Sequence, residues 1–157
     1  MPKLTTQLRS ISELNAINDT LVPLKKLADK ELASIYGLTG KVYTPHLDIY
    51  MQTAVEKATI LACLKRQKLI PVSEVEVINE ALDFLHKSVK NKAVVEYNGN
   101  SYERRFTPLK LSKSGKSVQK WAKFWLLHTA NGNVDPFWES EVREIWPTYF
   151  LIRTVEM

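Results

Sequence analysis

The sequence predicts an α+β fold: an N-terminal helical half, folded as a helical hairpin, then a small antiparallel sheet with a β-hairpin and two covering helices. Three observations carry this expectation. Helix start signals in the first half are followed by apolar residues at spacings of three and four. Asn98-Gly99 stands between two alternating runs. Eight large aromatics between Trp121 and Phe150 supply the core that a small sheet needs.

Taken in order, Pro23 suits the first turn of a helix running to Tyr36, with Gly37 as its stop. Thr44-Pro45 starts a second helix, which carries Ile49, Ala54, Ile60, Leu61 and Leu64 and ends in Lys65-Arg66-Gln67-Lys68, where cations suit the negative end of the dipole. Pro71 breaks the chain. Ser73 and Glu76 form a capping box that opens a third helix with Val75, Ile78, Leu82, Leu85 and Val89 on one stripe. Its expected partner is the second helix, packed antiparallel.

From Lys92 the period changes. Ala93, Val95 and Tyr97 alternate before Asn98-Gly99, and Tyr102, Arg104 and Phe106 alternate after it. Both turn residues tolerate positive φ, so a tight hairpin is expected, with Pro108 ending its second strand. A polar loop, residues 112–116, leads into an expected helix with Val118, Trp121, Ala122, Trp125 and Leu126 on one face. Asp135-Pro136 caps a short helix through Trp146, Pro147 closes it, and the tail from Thr148 to Val155 reads as a last strand beside the hairpin.

The 157 residues suit one domain, 1–157, made of a helical half (1–90) and a hairpin-helix-helix-strand half (91–157). At 45% hydrophobic and 25% charged, the composition is that of a globular protein and excludes a disordered or filamentous chain. The N-terminus lacks the apolar run of about 7–15 residues of a secretory signal. No stretch approaches the ~18 apolar residues of a membrane helix. The expectation is an intracellular, cytoplasmic protein without a membrane partner. Cys63 is the one cysteine, so no internal disulfide can form; inside a helix beside Ala62 and Leu64 it reads as a buried, inert thiol.

Charge is unevenly spread. Residues 1–86 balance ten basic against ten acidic side chains, residues 87–123 hold ten basic against Glu96 and Glu103, and residues 124–157 hold two against five. In the expected helix Lys116, Lys120 and Lys123 share one face. Joined by Lys110, Lys113 and either Arg104 or Arg105, they form a patch that tracks a phosphate backbone, with Tyr97 and Tyr102 as stacking groups for bases. The leading expectation is therefore a small basic protein that binds DNA or RNA through phosphates. The first alternative is a protein–protein adaptor or homodimer built on the helical half. Phe124, just off the apolar stripe, stands near Glu139, Glu141 and Glu144 and suggests an interface edge.

No catalytic motif fixes an activity. Ser114-Gly115-Lys116-Ser117 matches the end of a phosphate-binding P-loop, but Lys110 stands where the first glycine belongs; what survives is a loop able to hold one anion at a helix N-terminus. Glu76, Glu80 and Asp83 line one helix face, the weak candidate set for the second alternative, a Mg2+-dependent nuclease. His46, His86 and His128 fall on three expected helices without zinc-pair spacing, so no cofactor or resident metal is expected.

Overall fold

The computed structural model describes residues 8–35 and 43–152. Its elements are α1 (Ile11–Ile35), α2 (Pro45–Arg66), α3 (Glu74–Leu85), β1 (Val94–Tyr97), β2 (Asn100–Leu111), β3 (Val118–Leu127), α4 (Pro136–Ile145) and a closing 3-10 turn (Pro147–Phe150). The α+β class holds, with helices first and a three-stranded antiparallel sheet in the order β1-β2-β3. The chain divides into two compact units at Pro71/Val72. Among the described residues no helix is long and apolar enough to cross a membrane.

In the first unit, α1 starts twelve residues before Pro23, which lies inside the helix rather than in its first turn. Its true start is a capping box. Ser10 Oγ accepts from Glu13 N at 3.2 Å, and Glu13 Oε1 accepts from Ser10 N at 3.2 Å. The expected stop at Tyr36 and Gly37 lies outside the described residues. α2 begins and ends as expected, yet the Thr44 side chain makes no capping bond to its backbone. That task falls to Glu31 of α1, whose carboxylate accepts from His46 N at 3.1 Å and Leu47 N at 3.0 Å. A carboxylate suits the positive end of a helix dipole. At the opposite end Gln67 bonds Arg9 through both its backbone groups, so α1 and α2 run antiparallel around Ile17, Ile60 and Leu64. α2 thus packs on α1 within the first unit, and its expected partner α3 belongs to the second. Cys63 is buried, its thiol 2.9 Å from Gln67 Oε1.

The second unit opens with α3, whose Ser73–Glu76 capping box forms as read. The Ser73 hydroxyl also donates to the Glu141 carboxylate on α4. α3 stops at Leu85, so Val89 leaves the helix while still packing on the core. Asn98 (φ 49°) and Gly99 (φ 82°) make the tight turn between β1 and β2.

Three expectations fail beyond that turn. Pro108 does not end β2, which continues to Leu111. Along β2 the even-numbered residues aim their N–H away from β3, as the bonds from Arg104 N to Ala93 O and from Phe106 N to Asn91 Oδ1 show. A proline at 108 therefore costs no bond to β3. Residues 118–127, expected as a helix, form β3. Positions 118, 121, 122, 125 and 126 do fit a helical stripe, but here they belong to a strand whose inner half, Phe124 to Leu126, is buried on both faces. The described part of the expected last strand is the 3-10 turn, which lays Tyr149 and Phe150 on Phe124 with ring centroids 6.2 and 5.3 Å away. Phe124 is accordingly core and not an interface edge.

β3 is a sheet edge, and Trp125 lies in its buried inner half. Its backbone N–H, facing away from β2, donates to Asn79 Oδ1 at 2.8 Å, and its carbonyl accepts from the Trp138 indole at 3.0 Å. Asn79 is buried on α3 and is held in turn by Val75 O at 2.8 Å. Asn79→Ala leaves the Trp125 N–H buried without an acceptor and is expected to cost about 1–3 kcal/mol in urea unfolding. Glu80→Ala, one residue along and exposed, is expected to stay within about 0.5 kcal/mol.

Candidate nucleic-acid interface

β1 pairs only with Asn100–Glu103, whereas the β2–β3 ladder runs on to Leu111 opposite Val118. Beyond Arg104 and Trp125 the two strands therefore form a ribbon about 20 Å long, at about 3.3 Å per residue. Its tip is the turn 112–117, closed by Ser112 N to Ser117 O and Gly115 N to Ser112 O, both 2.9 Å, with Gly115 at φ 74°. No helix follows this turn, so the anion site expected at a helix N-terminus has no structural basis.

The basic residues are rearranged by the same correction. Lys120 and Lys123 lie three apart on a strand, Lys116 lies in the turn, and the three share no helix face. Instead Lys120 stands directly across the ladder from Lys110, with register shifts on either side of Lys110, and Lys123 stands opposite Phe106. Lys113 and Lys116 occupy the tip. Four lysines thus gather at the free end of the ribbon. Among the described residues no carboxylate pairs with any of them. Like charges directly opposite across a ladder repel, so Lys110 and Lys120 destabilise the bare ribbon.

The two arginines do other work. Arg104 is 5% exposed; it donates to Asp83 Oδ1 at 2.6 Å and lies over the Trp125 ring, 4.7 Å from its centroid. The Trp125 indole donates to the same oxygen at 3.0 Å. Arg104 is therefore an internal strut and withdraws from the expected patch. Arg105, on the other face, donates to Glu103, and His128 Nε2 lies 2.7 Å from Glu103 Oε1. Burial pushes the Glu103 carboxyl up, but the Arg105 and His128 hydrogen bonds and their charges outweigh it and hold it below its ordinary 4.5.

Tyr102 is 2% exposed and packs between Tyr97 and Trp138, with burial raising its phenol above the ordinary value of 10.0. It is core and offers no face to a base; Tyr97, half-buried, packs on the same cluster. Trp121 and Phe106 are the aromatics at the ribbon, and the sequence reading missed them in this role. Trp121 is 47% exposed, 6.3 Å from the Phe106 ring, with Lys123 Nζ 5.0 Å from that ring on the other strand. The available signal was a ten-residue run holding Val118, Trp121, Phe124 and Trp125 between Gly115 and Asn131-Gly132.

The carboxylate row does not converge. Asp83 is engaged by Arg104 and Trp125, Glu76 belongs to the capping box, and Glu80 is exposed. Among the described residues no group of three His, Cys, Asp or Glu side chains could hold a metal ion. Lys87 stacks on Phe84 at 5.4 Å, and Lys92 N bonds Arg104 O, so both stand away from the ribbon tip.

No protein-family model, curated protein or solved structure matches the chain.

Two measurements follow from this geometry. Asp83→Ala leaves the buried Arg104 guanidinium without its partner, and an unfolding titration is expected to show a loss of about 2–4 kcal/mol. Because Glu103 has a lower pKa folded than unfolded, its contribution is complete above 4.5 and disappears as pH falls through the folded value. Glu103→Gln is expected to make the acid-side decline of stability shallower, read from urea midpoints across that range.

Proposed function

We propose that the β2–β3 ribbon is a nucleic-acid-binding arm that grips phosphates without reading sequence. One observation carries this reading. From residue 104 to residue 134 the chain holds seven cations and no Asp or Glu, and the structure sets two of those lysines face to face at the free end of the ribbon. Phosphates lying between Lys110 and Lys120 relieve their repulsion, and Lys113 and Lys116 extend the grip around the tip. A two-stranded ribbon is also a shape that enters a nucleic-acid groove or lies along a strand. The binding set is Lys110, Lys113, Lys116, Lys120 and Lys123, with Arg105 at the margin and Arg104 as its internal support.

Phosphate contacts release counterions, so the affinity must depend on salt. With about four or five contacts, log K is expected to fall with log salt at a slope of about −3 to −4. Fluorescence anisotropy with labelled DNA and RNA, from about 50 to 200 mM salt, measures this slope. Lys110→Glu with Lys120→Glu is expected to lower affinity at least about tenfold and to flatten the slope by about two. Absence of binding by the parent protein at the lowest salt overturns the proposal.

A further inference from the structure

Resting on that reading, we infer that the ligand of the ribbon is a single strand, DNA or RNA, whose bases stack on Trp121 while its phosphates follow the lysines. Cross-strand partners share a sheet face, so Tyr102, Arg104, Phe106 and Pro108 of β2 line one face with Leu127, Trp125, Lys123 and Trp121 of β3. On the inner half of this face Trp125 and Tyr102 are buried, with α3 supplying Asp83 and α4 supplying Trp138. Outward, the face becomes a ladder of alternating rings and cations. The Arg104 guanidinium lies between the Trp125 ring at 4.7 Å and the Phe106 ring at 5.8 Å, Lys123 sits 5.0 Å from Phe106, and Phe106 leads to Trp121 at 6.3 Å.

That ladder ends in an indole about half in water; Lys123 shares its face, whereas Lys120, the preceding residue of β3, leaves the strand on the opposite face. Trp121 packs beside its buried cross-strand partner Pro108 and the Phe106 ring, and still leaves about half of its surface in water. Its setting is a π-face with the Phe106 ring beside it and Lys123 on the same face, and with the paired lysines one rung on, turned to the other face of the ribbon. This is the arrangement that receives an unpaired base: stacking supplies affinity regardless of base identity, and lysines on the same ribbon hold the backbone. A duplex keeps its base faces inside its own stack, and to reach them Trp121 must wedge a step open at a cost of unstacking. Charge alone therefore accepts either form, and the exposed indole selects the unpaired one.

The test uses the full chain with labelled oligo(dT), oligo(U) and a mixed-sequence duplex of about 16 nucleotides. The parent protein is expected to bind at least one of the single strands at least about tenfold more tightly than the duplex. Trp121→Phe keeps a ring and is expected to bind within about threefold of the parent. Trp121→Thr keeps a strand-favouring side chain, and is expected to weaken single-strand binding about 5- to 100-fold with the salt slope unchanged. Circular dichroism and the urea midpoint confirm that both variants fold. Equal or tighter binding of the duplex, or no effect of Trp121→Thr on single-strand binding, overturns the inference and leaves the phosphate-binding arm standing. Failure of the parent protein to bind any of the three overturns the arm itself.

Discussion

The second unit depends on how the exposed edge of β3 is closed at Trp125. A strand edge presents unpaired N–H and C=O groups, and burying them without partners is costly. Here both outward groups of one residue are satisfied by side chains from two different helices, Asn79 of α3 and Trp138 of α4. The indole of the same residue reaches Asp83 on α3. Trp125 is thus bonded along its edge to both covering helices, and its ring is packed under Arg104. The helices lie where they do because the sheet edge requires donors and acceptors at that point, in addition to the apolar area they bury.

The same arrangement explains why the inner half of the β2–β3 pair is core, whereas the outer half is largely surface apart from buried Pro108 and Ala122. Inside Arg104 and Trp125, β3 is covered on both faces, by Trp138 and Asp83 on one and by the aromatic rings of the 3-10 turn on the other. Outside them β1 has ended, and the ladder continues as a ribbon whose lysines are exposed. Arg104 stands at the boundary and belongs to the inner half: its charge is matched by Asp83 and its plane by two rings. It gives the ribbon a stiff base. Neighbouring Arg105, on the other face, is tied to Glu103 and His128.

Local signals were legible wherever a few adjacent residues settle the outcome. The Ser73–Glu76 box, the Asn98-Gly99 turn and the Asp135-Pro136 start of α4 are all decided by side chains reaching their own backbone or by positive φ, and the start of α2 is marked by Pro45 in its first turn. The Ser10–Glu13 box is the same kind of signal and marks the start of α1 more directly than Pro23, which a helix interior also accommodates here. Period was legible only where one face of an element is buried. α3 has one such stripe, buried at Val75 and Leu82 and part-buried at Ile78, although Leu85 at its end is exposed, whereas the inner half of β3 has two buried faces, and its apolar positions fit a helix as well as a strand.

Residue counts and short-range order are enough to establish that this chain is globular, α+β, and basic in one contiguous stretch, because these properties follow from composition, local spacing and backbone preferences. The tertiary structure decided where the basic stretch lies. It turned an expected helix face into a ribbon, moved Arg104 and Tyr102 inside and set Trp121 out in water. Pairing across a sheet joins residues that are distant along the chain, as Lys110 joins Lys120 and Phe106 joins Lys123. Nothing in the local sequence states that register; burial of Trp125 and Tyr102, and the two helices that close the edge, select it.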